Sequence, residues 1–462
     1  MIVGLRGASL LALMVATGCG NVGPTYEPPS IPLPAAFQGG GGGSAGTLEG
    51  VSWWRGFRDE QMNLIVAQGL DENLDVRIAV ERMIAARANV RGSGVPLSGD
   101  LDAEALISDT NLAPQQETAT VELGVTWLLD FFGRLANQRG EAVADFEAAG
   151  FDIETARLAY ISDVLLAYID ARFFQESTAL QRQNLAARRQ TLDLTERLLA
   201  AEANTRLDVI QAEGLVNDTL ADIPGLEASY QQNVNRLATL IGRPAGNLQP
   251  LMNRGAAQPV PRGGPIRSVP ADVLRNRPDV RAAERRLAAA TAAIGVAQAD
   301  LYPSVTLGGE VSVSARNDLQ DLRTWNFGPA LNLPIFGRET LRANLSIRES
   351  QAREARLAWE RAVLIAVEEV QSALSTLDRA AATTTARRNA LRTFEENLDL
   401  ATTSYSEGNT SLLDLLDAQR SVGTARIQLA AAQRDYAQAF VALHVALGAG
   451  RAVQAAPTAE GG

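Results

Sequence analysis

Asp417 and Arg420 stand three residues apart in the run LLDAQR, a spacing that lets a carboxylate and a guanidinium pair on one face of a helix. The chemistry such a pair offers is electrostatic. It can tie elements together and release them when polar contacts rearrange. Other reactive side chains are scarce: the chain has one His, His444 in VALHVAL, and one Cys, Cys19. A single His leaves no His-rich metal site and no His-centred triad. No enzyme activity, cofactor or metal site is therefore expected, and His444 is assigned a packing or solvent role. The net charge of −11 gives no basic face of the kind nucleic-acid binding needs.

Cys19 offers a second chemistry, attachment of lipid. It follows a positive region at Arg6, the apolar run ASLLALMVA and the small residues Ala16-Thr17-Gly18. That order is similar to a bacterial lipobox, with Ala16 at the usual Leu position. Residues 1–18 are read as a signal peptide. Residues 19–50 are read as a tether, Pro-rich then Gly-rich, beginning at lipidated Cys19. Gly20, rather than Asp, follows the Cys and points to the outer membrane. No later run reaches about 18 apolar residues, so any bilayer crossing must be a β-barrel.

The elements that position these groups come in duplicate. Phe132-Gly133-Arg134 recurs as Phe336-Gly337-Arg338, an offset of 204 positions. Asp75-Val76-Arg77 matches Asp279-Val280-Arg281 at the same offset, and Leu207-Asp208 matches Leu413-Asp414 after a drift to 206. Colinear agreement over about 170 residues marks a duplication. It is assigned to residues 51–255 and 256–450, with 451–462 a flexible tail. Each copy opens with an Ala/Arg-rich helical run, about 58–92 and 278–302. Two alternating segments follow. In 97–107 and 121–130, Leu97, Leu101, Val121, Leu123, Val125 and Trp127 oppose Ser98, Asp100, Asp102, Glu122 and Thr126. Copy two sets Val305, Leu307, Val311 and Val313 against Thr306, Glu310 and Ser312, then continues from Trp325 to Ile335. Period two predicts strands with one apolar and one polar face. Four strands cannot close a barrel and lipid does not tolerate open edges, so closure needs several chains. Three chains would supply twelve strands.

The two Phe-Gly-Arg phrases are read as strand-to-helix joints, with Gly for the turn and the aromatic at a membrane boundary. Each opens a long helical run without Pro, about 135–202 and 339–406. Val363, Val370, Leu377, Leu391, Leu398 and Tyr405 share one seven-residue register there, a coiled-coil pattern. Shorter helices are expected over about 205–242 and 411–448, the first interrupted at Pro224-Gly225. Between long and short helices lie EANTRLD and EGNTSLLD. In these turns Thr205 with Asp208, and Ser411 with Asp414, fit a hydroxyl cap followed three residues later by a carboxylate.

In order along the chain, VGPTYEPP from Val22, WWRGFRDEQMNLIV from Trp53, RPDVRAAERRL from Arg277, LYPSVTL from Leu301, both joints and LLDAQR from Leu415 resemble one family. It is that of the outer-membrane factor proteins, the TolC-like exit ducts, in their lipoprotein (NodT-type) branch. The run GSGVPLSGD departs from the pattern and leaves the start of the first strand open. The resemblance implies a fold that is mainly α with a membrane β-barrel. Long coiled-coil helices form a periplasmic tunnel, and four β-strands per chain contribute to a trimeric twelve-strand barrel. It implies a homotrimer in outer-membrane lipid, working with a periplasmic adaptor and an inner-membrane pump of the RND type. It also implies that Tyr405, Leu413, Asp417 and Arg420 form a gate at the periplasmic end. The copy-one counterparts of the charged pair are Gln211 and Gly214, so the pair exists only in copy two. The function so implied is passive conduction of what a pump delivers. A type I secretion duct and a lipid-anchored structural or adhesive coiled coil are the alternatives. The paired amphipathic strands favour a duct over an adhesin. The substrate is not legible.

Overall fold

The computed structural model describes residues 20–30, 52–110, 113–261, 277–317 and 320–449. Cys19, the signal peptide, residues 31–51 and the tail 451–462 lie outside the described residues. Apart from two short helical turns, Trp53–Phe57 and Gln249–Met252, the elements in chain order are α1 (Glu60–Glu72), α2 (Leu74–Gly92), β1 (Leu97–Thr110), β2 (Ala113–Leu129), α3 (Arg134–Ala200) and α4 (Arg206–Leu240). The second half supplies α5 (Pro278–Ala299), β3 (Ser304–Arg316), β4 (Leu322–Asn332), α6 (Arg338–Ser406) and α7 (Leu412–Ala446). Helix, two strands, long helix and shorter helix thus occur twice. At about 1.5 Å per residue, the 67 residues of α3 and the 69 of α6 each make a rod of roughly 100 Å.

The chain divides into two units. The first holds residues 20–30, Glu81–Asp152 and Asp279–Ala362, and its centre is a four-stranded antiparallel sheet in the order β1-β2-β3-β4. Register sorts the side chains. Leu101, Leu123, Val311 and Trp325 form one cross-strand row, and Asp102, Glu122, Ser312 and Thr324 form the next. Successive residues point to opposite faces, so one face is apolar and the other polar. β1 runs three residues past the expected 97–107, and β2 begins eight residues before the expected 121–130 and ends at Leu129, because Ala113 and residues 116–120 pair with β1 without alternating apolar and polar positions. β4 is shifted from the expected Trp325–Ile335: it begins at Leu322 and ends at Asn332, leaving Leu333 and Ile335 outside. Pro334 has no N–H to extend the ladder.

The second unit is helical and holds the main core. Ile65, Val66, Leu165, Ile169, Val234, Leu237 and Val441 pack there with little or no exposure. Arg172 is also fully buried and donates to the Tyr168 hydroxyl and to the Met252 and Arg254 carbonyls. Sequence reasoning expected a single early helix over 58–92, but Asn73 divides it. Its side chain accepts the Val76 N–H as a cap and donates to the Leu240 carbonyl. Helix α4 runs unbroken through Pro224, contrary to expectation. Pro224 is exposed, so water can satisfy the carbonyl it leaves free. In α6 the heptad residues Val363, Val370 and Leu377 are buried, while Leu391, Leu398 and Tyr405 are half-buried.

Candidate functional site: sheet, joints and helix tips

The sheet of the first unit has the chemistry of a barrel wall. Its apolar face carries Trp325, 79% exposed, Phe327, 70%, and Trp127, 46%, beside Leu97, Leu123, Val125 and Val311. Water does not favour an apolar patch of that width. The other face presents Asp100, Asp102, Glu104, Glu122 and Glu310 with Ser and Thr, and the hydroxyls of Thr120 and Ser314 meet at 2.9 Å. Asp102 sits directly opposite Glu122. Like charges so placed repel, which a solvated face tolerates and a dry one does not. The arrangement therefore suits lipid on one side and water on the other. Strands of 11 to 17 residues meet or exceed the roughly 9–11 needed for a tilted crossing. No helix among the described residues is long and apolar enough to cross a membrane.

Both joints turn on a left-handed glycine, Gly133 at φ 77° and Gly337 at φ 81°. A side chain at either position would be strained. At the first joint the Phe132 ring stacks on Tyr302 at 4.8 Å and Arg134 pairs with Asp300 at 2.8 Å. A Cβ on Gly133 would lie 2.8 Å from the Asn21 side-chain oxygen, so the segment after Cys19 roofs this joint. Asn21 and Asn137 exchange two amide hydrogen bonds, at 2.7 and 3.2 Å, and the Val22 N–H donates to the Phe132 carbonyl. Sequence reasoning missed Asn21 and Asn137; neither carries a periodic or motif signal. At the second joint Phe336 is 95% exposed, and nothing lies within 4 Å of a Cβ built on Gly337. Arg338 forms no ion pair among the described residues.

The helix tips belong to the second unit. Thr205 and Asp208 form a reciprocal capping box on α4, and Ser411 and Asp414 form one on α7. Asp208 accepts the Thr205 hydroxyl at 2.7 Å and the Thr205 N–H at 2.8 Å. Asp414 accepts the Ser411 hydroxyl at 2.6 Å, the Ser411 N–H at 3.1 Å and the Thr410 hydroxyl at 2.8 Å. Hydrogen bonds to the ionised form hold both carboxyls below the usual carboxylate range, led by the Thr205 and Ser411 hydroxyls respectively. Tyr405 packs against Leu412, Leu415 and Leu416, and its hydroxyl accepts from the Asn204 amide at 3.2 Å. Leu413 is exposed. Asp417 and Arg420 pair at 2.7 Å on an exposed face of α7. Arg188, absent from the sequence reading, donates to the Leu215 carbonyl and contacts the Thr219 hydroxyl. Burial lowers its pKa, opposed by the nearby Asp218 and Asp222 carboxylates and assisted to a lesser degree by Arg420.

A chain with an amphipathic open-edged sheet and two long helices ending in capped turns is a subunit of a barrel-forming outer-membrane channel. The family model for the outer membrane efflux protein matches residues 65–243 and again 269–449, and the chain belongs to that family. It is 41% identical to Nodulation protein T of Rhizobium leguminosarum bv. trifolii over 95% of this chain and 96% of that one. It is 30% identical to outer membrane protein OprJ of Pseudomonas aeruginosa over 96% of both chains. Among solved structures, the outer-membrane channel OprN superposes with a TM-score of 0.83 at 30% identity, over 93% of this chain and 99% of that one. The protein is an outer-membrane efflux channel rather than an adhesive coiled coil or a type I secretion duct. The family and its solved neighbours are channels, not enzymes.

Proposed function

We propose that three copies of this chain close a twelve-strand barrel above a helical periplasmic tunnel. The trimer passively conducts substrates handed over by a periplasmic adaptor and an inner-membrane RND-type pump. Each repeat, 51–255 and 256–450, supplies two strands and one helical hairpin, and lipid on Cys19 anchors the chain. The observation that carries this reading is the sheet: apolar on one face, acidic on the other, and open at β1 and β4. Open edges in hydrocarbon leave N–H and C=O groups unpaired, and only pairing with further copies removes them. Native mass spectrometry in detergent is expected to give a trimer; a stable, conducting monomer would sink the proposal. Intact mass of the membrane-extracted protein should show loss of residues 1–18 and added acyl mass on Cys19.

Tyr405, Leu413, Asp417 and Arg420 form the gate in this reading. Threefold symmetry would bring three copies of each close to one axis, where facing carboxylates repel unless each meets a cation. Arg420 supplies one, already paired with Asp417 within the chain. Thr205, Asp208, Ser411 and Asp414 hold the tips in shape for this closure, and Phe132 to Arg134 and Phe336 to Arg338 set the turn from barrel to tunnel.

A further inference from the structure

The second joint is an aromatic with no cover. Phe336 is 95% exposed and Ile335 68%, at the end of an edge strand. The first joint has the same three residues and is covered from within the chain. Its cover is the four-residue linker Asp300–Pro303 between α5 and β3: Tyr302 stacks on Phe132, and Asp300 pairs with Arg134. β3 is the strand that follows β2 across the sheet. In a closed ring the strand following β4 is β1 of the next copy. The linker leading into β1 is Ser93–Pro96, also four residues long and also ending in Pro. Val95 in it is 52% exposed.

We propose that Phe336-Gly337-Arg338 of one chain docks on the Ser93–Pro96 linker of a second copy, with Phe336 against Val95 and Arg338 facing Ser93. This rests on the trimeric reading above and names the contact that repeats around the ring. The repeat makes the two kinds of joint unequal. Within a chain the contact is an aromatic stack with an ion pair. Between chains Val95 stands where Tyr302 stands, and Ser93 where Asp300 stands. Arg338 there meets a hydroxyl instead of a carboxylate, a weaker hydrogen bond than a charge-assisted one. The joint between copies is the looser of the two, and the assembly parts there first.

Disulfide trapping tests the contact. Val95→Cys combined with Phe336→Cys, oxidised in outer membranes, should convert most chains to reducible multimers up to a trimer on a denaturing gel. After heating, each single variant and the unsubstituted chain should run as monomers. A double variant that forms a trimer by native mass spectrometry but yields no cross-link overturns the contact and leaves the trimer standing. Failure of the unsubstituted chain to form any oligomer overturns both. A gain of function keeps the idea testable if the cysteine pair disturbs assembly. Ser93→Asp recreates the missing ion pair across copies, so it should raise the temperature at which the oligomer dissociates, and Arg338→Ala should abolish that rise. An unchanged dissociation temperature for Ser93→Asp overturns the contact as well.

Discussion

The two repeats agree in the order of their elements and at particular buried sites, and differ at their joints and tips. Leu237 in α4 and Leu443 in α7 are counterparts, and both are fully buried. The capped turns are also counterparts, with the same box built from Thr in one and Ser in the other. Two differences sit at the joints and the tips. Among the described residues only the first joint has a roof, which the segment after Cys19 forms. The Asp417–Arg420 pair has no counterpart at the first tip, where Gln211 and Gly214 stand at the matching positions. Duplication supplies a scaffold twice over, and each copy then carries residues of its own at its joint and its tip.

The largest expected effect tests the agreement. Leu237→Ala and Leu443→Ala should each cost about 2–5 kcal/mol, the range for emptying a buried leucine site, and by similar amounts. The half-conversion temperature of the heat-modifiable oligomer band on gels would report it. A core in which one of the two is nearly silent would break the symmetry claimed for it. The joints come next. Gly133→Ala and Gly337→Ala share the strain of a left-handed alanine, about 1–2 kcal/mol. Gly133→Ala must also displace Asn21, whose Cα lies 3.0 Å from the new Cβ. The first variant should therefore melt at a lower temperature than the second, and equal losses would mean the roof contributes nothing. The charged pair follows. An exposed pair is worth about 0–1 kcal/mol, so the fold should not notice its loss. Its effect belongs to conduction: in planar bilayers Asp417→Ala and Arg420→Ala should conduct more and stay open longer, while Gln211→Ala should behave as wild type. If Asp417→Ala also conducts as wild type, closure lies elsewhere.

Much of this was legible in the sequence. The long helices, the four strands, both glycine turns and both capping boxes follow from period, composition and local spacing. What escaped has physical causes. Alternation marks a strand only where its two faces meet different solvents, so the pairing of residues 116–120 left no trace. Asn73 ends one helix and caps the next through its own side chain, which looks like any polar residue on a helix. Pro224 lies where water can reach the carbonyl it frees, and that exposure is not written locally. Asn21, Asn137 and Arg188 act through partners distant in sequence, so no spacing rule could find them.

The smallest effect separates the two tips by pH. Thr410 gives Asp414 a third donor, while its copy-one counterpart, Asn204, turns instead to the Tyr405 hydroxyl. Asp208 keeps only its own hydroxyl and N–H from Thr205. Both carboxyls titrate below their unfolded value of about 4. Each cap therefore contributes stability above that value and loses it as pH falls through the folded pKa. Protonation removes the acceptor from the N-cap N–H and frays the first turn of the helix. With one donor fewer, the Thr205 turn should fray at the higher pH and the Ser411 turn only after further acidification. Amide exchange of Asp208 and Asp414, corrected for the intrinsic rate at each pH, would show two steps in that order. Thr410→Ala should bring the second step up to meet the first. If the steps coincide already in the unsubstituted chain, the third hydrogen bond does not act on Asp414, and the tips differ in the charged pair alone.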